Sequence, residues 1–345
     1  MFDLNKITRS NITKLQAYSS ARDEFTGNAG VFLDANENPY GKLNRYPDPY
    51  QKDLKRAINN ITGINTSNIF IGNGSDEVID LLFRVFCNPS VDKALTFNPS
   101  YGMYDVSAGI NDIELIKVPL NDVFDIDYNA IQVYITDPNL KLILICSPNN
   151  PTGNSPDFKT VERIIENFNG IVLIDEAYIN FSSKKSFTEL IDRYPNLVVS
   201  QTMSKAWGLA AARIGMTYGN TKIIEILNKV KPPYNISKLN QEAAIEALRK
   251  KGDFMAITKQ ILENKAQLCE TLKSLDIITK VYPSDTNFFL VECIYNALIT
   301  KEIIVRNRNN IVQNCIRITV GTTEENQQLI EELKSIQNEK STIYR

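Results

Sequence analysis

Continuous apolar runs are the feature that most constrains the fold of this chain. Residues 142–146 and 171–174 are apolar at every position, without the alternation of a strand that has one face in water. Such strands are buried on both faces, which is typical of parallel sheets covered by helices. Segments with helical periodicity separate these runs along the chain. The sequence therefore predicts an α/β fold with a mainly parallel sheet between two layers of helices.

The order of the predicted elements divides the 345 residues into three parts. Residues 1–40 are irregular and polar, and we expect them to form an N-terminal arm outside any core or a part of the smaller domain. Residues 41–264 contain the parallel-sheet pattern and are expected to form a large three-layer, ligand-binding domain. Residues 265–345 contain two strand patterns and a last helix, and are expected to form a smaller α+β domain.

Composition excludes several classes of function. The chain has no histidine, so mechanisms that need an imidazole base or ligand, including the Ser-His-Asp triad, are excluded. A net charge of −2 gives no basic face for nucleic acid, and no apolar run approaches the roughly 18 residues that span a bilayer. The five cysteines lack paired zinc or disulfide spacing, and the polar N terminus lacks a secretory signal. We therefore expect a cytoplasmic cofactor enzyme without a metal, nucleic-acid or membrane partner.

Polar segments follow the predicted strands, at the ends where parallel sheets bind ligands. Residues 72–75, Gly-Asn-Gly-Ser, lie between a strand and a helix, where free backbone N–H groups bind anions; a simple capped helix also explains them. Ser75 is expected to cap that helix. Asp76 and Glu77 stand in its first turn, so an anion could bind there only if both side chains pointed away from it.

Asp175 and Lys205 each follow an apolar strand. A buried carboxylate at Asp175 needs a cationic partner, which could be a protonated ring nitrogen, a salt-bridge residue or a metal. Lys205 can form a Schiff base with a carbonyl carbon if its amine is neutral, although a lysine in a polar loop is more often a surface residue. Thr202, Ser204 and Arg213 flank Lys205 and could bind a phosphate group.

Two further groups of side chains are candidates for ligand binding. The amide of Asn150 and the hydroxyl of Tyr178 could donate to a phenolate oxygen, and Tyr101 could stack on a flat ring, although turn and core positions explain all three. Arg306 and Arg317 lie where a terminal domain could close over a site, and arginine suits carboxylates and phosphates. Arg308 is expected to be solvated.

The order of these segments resembles the fold-type-I pyridoxal-phosphate enzymes. The resemblance rests on residues 149–153 (NNPTG), 175–178 (DEAY) and 202–208 (TMSKAWG). Nearly the whole chain, from LDANENPYG at 33–41 to CIRITVG at 315–321, is similar to the histidinol-phosphate aminotransferases of class II. Trp207 and the pair Ala211-Ala212 depart from the family, which often has Phe and Gly-Leu there.

The resemblance implies a role for each candidate around the cofactor pyridoxal 5'-phosphate. Lys205 would bind it covalently, Asp175 would pair with the ring nitrogen, and Tyr101 would stack on the ring. Asn150 and Tyr178 would bond the ring oxygen. The phosphate would be surrounded by Gly74, Ser75, Asp76, Thr202, Ser204 and Arg213, with Tyr46 reaching it from the other subunit of a homodimer with shared active sites. Arg317 would bind the α-carboxylate of glutamate. Asn36 and Arg306 would lie near the substrate, with Arg306 a candidate for binding the substrate phosphate.

The implied reaction moves an amino group from a phosphorylated amine, L-histidinol phosphate, to 2-oxoglutarate, giving imidazole-acetol phosphate and glutamate in histidine biosynthesis. Two alternatives on the same fold stay open: a threonine-phosphate decarboxylase and an aminotransferase for aromatic amino acids. A non-catalytic regulator on this fold is disfavoured because Lys205, Asp175 and Arg213 are all retained. A nicotinamide dehydrogenase is disfavoured because the glycines after the first strand do not form GxGxxG.

Overall fold

The computed structural model describes residues 2–18, 30–293 and 302–343, and their strands form two sheets. The seven strands of the large sheet are β1 (Ile69–Asn73), β2 (Lys93–Asn98), β3 (Glu114–Pro119), β4 (Leu140–Cys146), β5 (Ile171–Asp175), β6 (Leu197–Thr202) and β7 (Ile214–Gly219). The four strands of the small sheet are β8 (Ile278–Val281), β9 (Phe288–Cys293), β10 (Arg306–Asn307) and β11 (Cys315–Thr319).

The large sheet has the strand order β1-β7-β6-β5-β4-β2-β3. Its strands are parallel except β7, which runs antiparallel to both of its neighbours. The prediction of a mainly parallel sheet is therefore confirmed. In the register of β4, β5 and β6, Cys146 lies beside Asp175 and Asp175 beside Ser200. The polar segments that follow these strands consequently meet at one edge of the sheet.

Helices cover both faces of the large sheet. The helices in chain order are α1 (Leu4–Ile7), α2 (Ser10–Lys14), α3 (Lys52–Thr62), α4 (Ser75–Phe86), α5 (Met103–Ile110), α6 (Tyr128–Ile135), α7 (Phe158–Asn167), α8 (Thr221–Val230), α9 (Lys238–Arg249), α10 (Lys251–Lys273) and α11 (Thr323–Ile343). Alternate residues of β4 enter two separate cores: Ile143 packs with α3, α7 and α9, whereas Leu142 packs with α4, α5 and α8. This two-sided burial is the physical reason for the continuous apolar runs.

The small sheet is antiparallel, and one of its faces packs against α10 and α11. Phe289 and Ile316 lie in that core. Phe288 instead joins a cluster with Tyr178, which follows β5 of the large sheet. The predicted division at residue 264 falls within α10, and the division of the chain into domains stays a prediction. In the described ranges, no helix is long and apolar enough to cross a membrane.

The N-terminal residues differ in part from the expected arm. Residues 2–18 include α1 and α2, and Ile12 is buried in the same core as α4. The Arg9 Nη1 atom donates to the Arg84 carbonyl at 2.7 Å, and the Lys229 Nζ atom donates to the Ile12 carbonyl at 2.9 Å. The expectation of an arm outside any core is wrong for this segment, because a few spaced apolar residues suffice to dock a short helix. Residues 30–51 contain neither helix nor strand, as expected.

Candidate active site

A pocket at the carboxyl edge of the large sheet collects most of the predicted site residues. Its lining is Ser75, Asp76, Tyr101, Cys146, Asn150, Asp175, Ala177, Tyr178, Thr202, Ser204, Lys205 and Arg213. These residues lie at the ends of β4, β5 and β6 or in the segments between strands and helices, where ligands bind in parallel sheets. The sequence analysis did not single out Cys146 and Ala177.

The N terminus of α4 borders one end of the pocket. The helix begins at Ser75, and its N-cap is Gly74, so the expectation that Ser75 caps it is wrong by one residue. Gly74 has a φ of +75°, and a Cβ atom on it would lie 2.5 Å from Nη2 of Arg213. Only glycine therefore allows the guanidinium group to pack directly against the start of the helix.

The two acids in the first turn of α4 behave differently. Glu77 accepts hydrogen bonds from the Asn73 backbone N–H and from the Asn235 side-chain amide, so it turns away from the pocket. Asp76 stays in the pocket wall, where it accepts from the Tyr101 hydroxyl at 3.1 Å and lies 3.4 Å from Nη2 of Arg213. The requirement that both acids point away is met by Glu77 and not by Asp76.

Hydroxyl groups at the end of β6 face the same end of the pocket. Thr202 is buried, and its Oγ1 atom lies 3.0 Å from Oγ of Ser204. The backbone N–H of Ser204 donates to Oγ1 of Thr202 at 3.1 Å. Together with Arg213 and the first turn of α4, these groups form a set of donors suited to a phosphate group.

Asp175 also lines the pocket. Its side chain is almost fully buried at the end of β5, and burial raises its pKa to about 6. The Tyr104 hydroxyl donates to Oδ2 at 3.1 Å and the Ala177 N–H to Oδ1 at 3.2 Å, and both bonds lower the pKa. Sequence reasoning missed Tyr104 as a site residue. Tyr104 lies at the start of α5, three residues after Tyr101, and residues three apart share one face of a helix. This spacing was the sequence signal that could have identified it.

Lys205 lines the same pocket and lies in the turn after β6. Its Nζ atom is 5.7 Å from the ring centroid of Tyr178. Although the residue is open to the pocket, desolvation lowers the pKa of its amine, and the positive charge of Arg317 lowers it further. A lowered pKa enlarges the neutral fraction of the amine, which is the form that attacks a carbonyl carbon.

Asn150 links the large sheet to the small one across the pocket. Its Nδ2 atom donates to the Tyr178 hydroxyl at 3.4 Å, and its Oδ1 atom accepts from Nη1 of Arg317 at 2.6 Å. The guanidinium carbon of Arg317 lies 5.1 Å from the ring centroid of Phe288. The structure therefore brings Arg317, a residue of the small sheet, to the pocket of Lys205.

Three arginines share one face of the small sheet. Arg306 on β10 pairs directly with Arg317 on β11, and the Arg308 N–H donates to the Cys315 carbonyl at 3.0 Å, so the pairing extends one step further. Residues two apart in a strand lie on the same face, which puts Arg308 on the side of Arg306. Arg306 is exposed and Arg308 is half-buried, so the expectation of a solvated Arg308 is wrong.

These guanidinium groups act on one another. Burial lowers the pKa of Arg308 to about 10, with further lowering by the charges of Arg317 and Arg306. Burial also lowers the pKa of Arg317. Among the described residues, no ion pair joins any of the three to a carboxylate. A cluster of cations without acids favours binding of an anion.

Tyr46 and Asn36 do not line the Lys205 pocket. They border a second hollow, formed by residues 35–38, 43–47, 234 and 237–239. The Tyr46 ring stacks on the Tyr234 ring at a centroid distance of 4.4 Å, and the Tyr46 N–H donates to Glu37 at 2.6 Å. Within one chain, the structure thus separates these two predicted site residues from the other candidates.

The residues around Lys205 fit pyridoxal phosphate. A helix N terminus, two hydroxyls and a guanidinium can hold its phosphate, and the close approach at Gly74 leaves no room for a side chain there. The buried carboxylate of Asp175, with its raised pKa, needs a cationic partner, which a protonated ring nitrogen supplies. The lysine that would bind the cofactor lines the same pocket. No group of three or more metal-ligating side chains occurs in the described residues.

Comparisons with known proteins agree with this site. Residues 29–333 match the family model "Aminotransferase class I and II". The histidinol-phosphate aminotransferase of Cytophaga hutchinsonii is 48% identical over 346 residues, which cover 97% of this chain and 99% of that protein. That of Flavobacterium psychrophilum is 49% identical, with 97% and 99% covered.

A solved structure shows the same fold. The histidinol-phosphate aminotransferase of Sinorhizobium meliloti, in complex with pyridoxal 5'-phosphate, has a TM-score of 0.77 and 23% identity, covering 88% of this chain and 90% of that one. Pyridoxal phosphate is the cofactor of the class I and II aminotransferases. On the match of the family model and the identity to full-length relatives, this chain belongs to the class I and II aminotransferases, among the histidinol-phosphate aminotransferases.

Proposed function

We propose that this protein transfers the amino group of L-histidinol phosphate to 2-oxoglutarate, and that the site residues act as the sequence analysis assigns them. The observation that carries the proposal is the cluster of Arg306, Arg308 and Arg317 beside the Lys205 pocket. A phosphate monoester or a dicarboxylate relieves the repulsion among these cations. The name carried by the relatives supports the same pair of substrates.

The residues of the chain bind and orient the reactants. When bound, pyridoxal phosphate supplies a sink for the electron pair of the broken carbon–hydrogen bond. The Lys205 amine takes up the substrate proton, because its lowered pKa keeps a larger fraction neutral. Asp175 holds a proton on the ring nitrogen through its buried carboxylate. Arg317 would hold the α-carboxylate of glutamate or 2-oxoglutarate, and its bond to Asn150 fixes the direction of the guanidinium group.

The remaining pocket residues fix the position of the cofactor. The phosphate is held by Gly74, Ser75, Asp76, Thr202, Ser204 and Arg213, with Asp76 contributing its backbone N–H. Tyr101 stacks on the ring, and its bond to Asp76 fixes the tilt of its own ring. Asn150 and Tyr178, which are bonded to each other, would bond the ring oxygen. Together these residues would hold the cofactor in place for the Lys205 amine.

An absorbance titration tests this proposal. The purified protein should show the visible band of lysine-bound pyridoxal phosphate, lose it on addition of L-histidinol phosphate and regain it with 2-oxoglutarate. Carbon dioxide release from O-phosphothreonine would assign the decarboxylase alternative instead. A response to phenylalanine with none to histidinol phosphate would assign the aromatic aminotransferase.

The variant Lys205→Ala tests the role of the lysine. It should lose turnover and the visible band, because Lys205 is the one lysine among the described residues that line the pocket. The matched control Lys184→Ala removes an exposed lysine that does not line the pocket and should retain both. Ordinary turnover by Lys205→Ala would refute the mechanism.

We also propose a homodimer with shared active sites, located in the cytoplasm. Exposed apolar side chains in the segment of Tyr46 support the dimer: Val31, Leu33 and Tyr40 are 88%, 87% and 82% exposed. Cys87, Cys146, Cys269 and Cys315 are free thiols, which supports a reducing compartment.

Mixed dimers test the sharing of sites. If Tyr46 acts in the site of the other subunit, mixing Lys205→Ala with Tyr46→Ala chains restores one intact site in each mixed dimer, or about a quarter of full activity after random pairing. If Tyr46 acts within its own chain, mixing restores nothing.

A further inference from the structure

Tyr104 is a buried tyrosine that makes a polar contact with the site residue Asp175. It lies on α5, is 1% exposed, and donates its hydroxyl hydrogen bond to Oδ2 of Asp175 at 3.1 Å. Neither its burial nor its ring packing requires the hydroxyl, since phenylalanine fills the same space. A buried hydroxyl aimed at a buried carboxylate instead indicates an electrostatic role.

The contacts of Tyr104 lead to other residues that line the cofactor pocket. Its ring meets the Tyr101 ring edge-on, at a centroid distance of 5.6 Å and an interplanar angle of 88°. The Tyr101 hydroxyl donates to Asp76, which in turn lies beside Arg213 at the phosphate end. The Tyr104 ring therefore packs against a ring that is itself held by a hydrogen bond to Asp76, and the Tyr104 hydroxyl points to Asp175.

The surroundings of Asp175 give it few groups that favour its charge. Burial has the largest effect on the pKa of Asp175, and burial raises this pKa. Tyr104 and the Ala177 N–H lower the pKa by hydrogen bonding, the Asp76 charge raises it, and the Lys205 charge lowers it. The titratable and charged groups that face Asp175 are Tyr104, Asp76, Lys205, Cys146, Tyr101, Tyr178 and Glu176. Of these side chains, only Tyr104 is hydrogen-bonded to the Asp175 carboxylate.

We propose that Tyr104 is a positioning residue that keeps Asp175 ionised and aimed at the ring nitrogen of bound pyridoxal phosphate. Without the hydroxyl, one carboxylate oxygen of Asp175 is buried and unpaired, which favours the protonated carboxyl. A protonated carboxyl does not hold a protonated ring nitrogen. The inference rests on the role proposed above for Asp175, but it does not depend on which amine is the substrate.

The variant Tyr104→Phe tests the inference through the pH dependence of cofactor binding. Cofactor affinity of the full-length chain should fall as the pH drops through the pKa of Asp175, which is about 6. In Tyr104→Phe the midpoint should move up by about one to two pH units, the equivalent of a lost hydrogen bond to a charged group. The titrations of the cofactor itself are common to both proteins, so the ratio of the two dissociation constants isolates the protein group.

Tyr218→Phe is the matched control. Tyr218 is also 1% exposed, lies in the same large sheet, and has its hydroxyl 3.7 Å from the sulfur of Met216, outside the pocket. Its removal should leave the midpoint where it is. A loss of affinity in Tyr104→Phe by the same factor at every pH would mean a packing role only and would overturn the inference, as would equal shifts in the two phenylalanine variants.

Two further variants separate this inference from the site assignment. Asp175→Asn should lose the pH midpoint altogether, and Tyr104→Phe should then add no shift. If Asp175→Asn binds the cofactor with unchanged affinity and midpoint, the role of Asp175 and the inference both fail. Tyr104→His restores a hydrogen-bond donor, so its midpoint should lie at or below that of the parent protein. A midpoint raised as in Tyr104→Phe would overturn the role of the donor even if Asp175 binds the ring nitrogen.

Discussion

Glu176 offers a test of the electrostatics behind the site. It follows Asp175 and is 1% exposed. Its carboxylate accepts from the Ser186 hydroxyl at 2.6 Å, the Phe187 N–H at 2.6 Å and the Gln201 amide at 2.9 Å. It therefore ties the segment after β5 to its neighbours. Despite these three donors, burial raises its pKa to about 7. The perturbation that we consider is Glu176→Gln, which keeps the shape and removes the charge.

The size of the effect follows from this pKa. The folded value of about 7 lies about 2.5 units above the ordinary value of 4.5, which at about 1.4 kcal/mol per unit is about 3 kcal/mol. Because the folded state binds the proton more tightly, the contribution of Glu176 to stability is complete below about pH 4.5, falls as the pH rises, and is lost above about pH 7. Glutamine has no such titration. The free energy of unfolding of the variant, relative to that of the parent, should therefore rise by about 3 kcal/mol between about pH 4.5 and about pH 7.

Urea unfolding measures this difference. Parent and variant are compared from about pH 5 to about pH 8, at one subunit concentration and with saturating cofactor, so that Asp175 titrates equally in both. The control is Glu189→Gln, because Glu189 has a 56% exposed side chain and pairs only with Lys185 at the surface. The difference in unfolding free energy between Glu189→Gln and the parent should stay almost constant with pH. A difference between Glu176→Gln and the parent that stays constant with pH would refute the reasoning.

Three further predictions concern the pocket. Gly74→Ala should weaken cofactor binding by about tenfold to a hundredfold, because its methyl group displaces the Arg213 guanidinium; unchanged affinity in an equilibrium titration would contradict this. Arg308→Gln should raise the KM for the phosphorylated amine by about tenfold, and more than Arg306→Gln, because Arg308 is the less exposed; equal effects in steady-state kinetics would count against it. Asn150→Ala should lower kcat/KM about tenfold for both substrates, because its amide joins side chains of the two sheets; losses confined to one substrate would contradict this.

Local pattern explains which elements could be predicted from the sequence. Strands buried on both faces, such as β4 and β5, are apolar throughout and were predicted within a residue or two. The short strands β8 and β10 and the edge strand β3 were missed, because their residues are partly exposed and lack a clear pattern. Edge and small-sheet strands are specified by their partners more than by their own sequence.

The sequence by itself determined the mainly parallel sheet and the edge at which its polar segments meet, and the resemblance to a known family added the prediction that Lys205 and Asp175 are the chemically active residues there. The sheet and its edge follow from chain order and periodicity, because every parallel strand delivers its carboxyl end to the same edge.

Only the tertiary structure decided which distant side chains complete the site. Tyr104 reaches Asp175 because α5 and β5 contribute to the same core, and Arg306 and Arg317 lie side by side because β10 pairs with β11. Each of these contacts depends on strand register and helix packing between segments far apart in the chain, and no local pattern in the sequence records them.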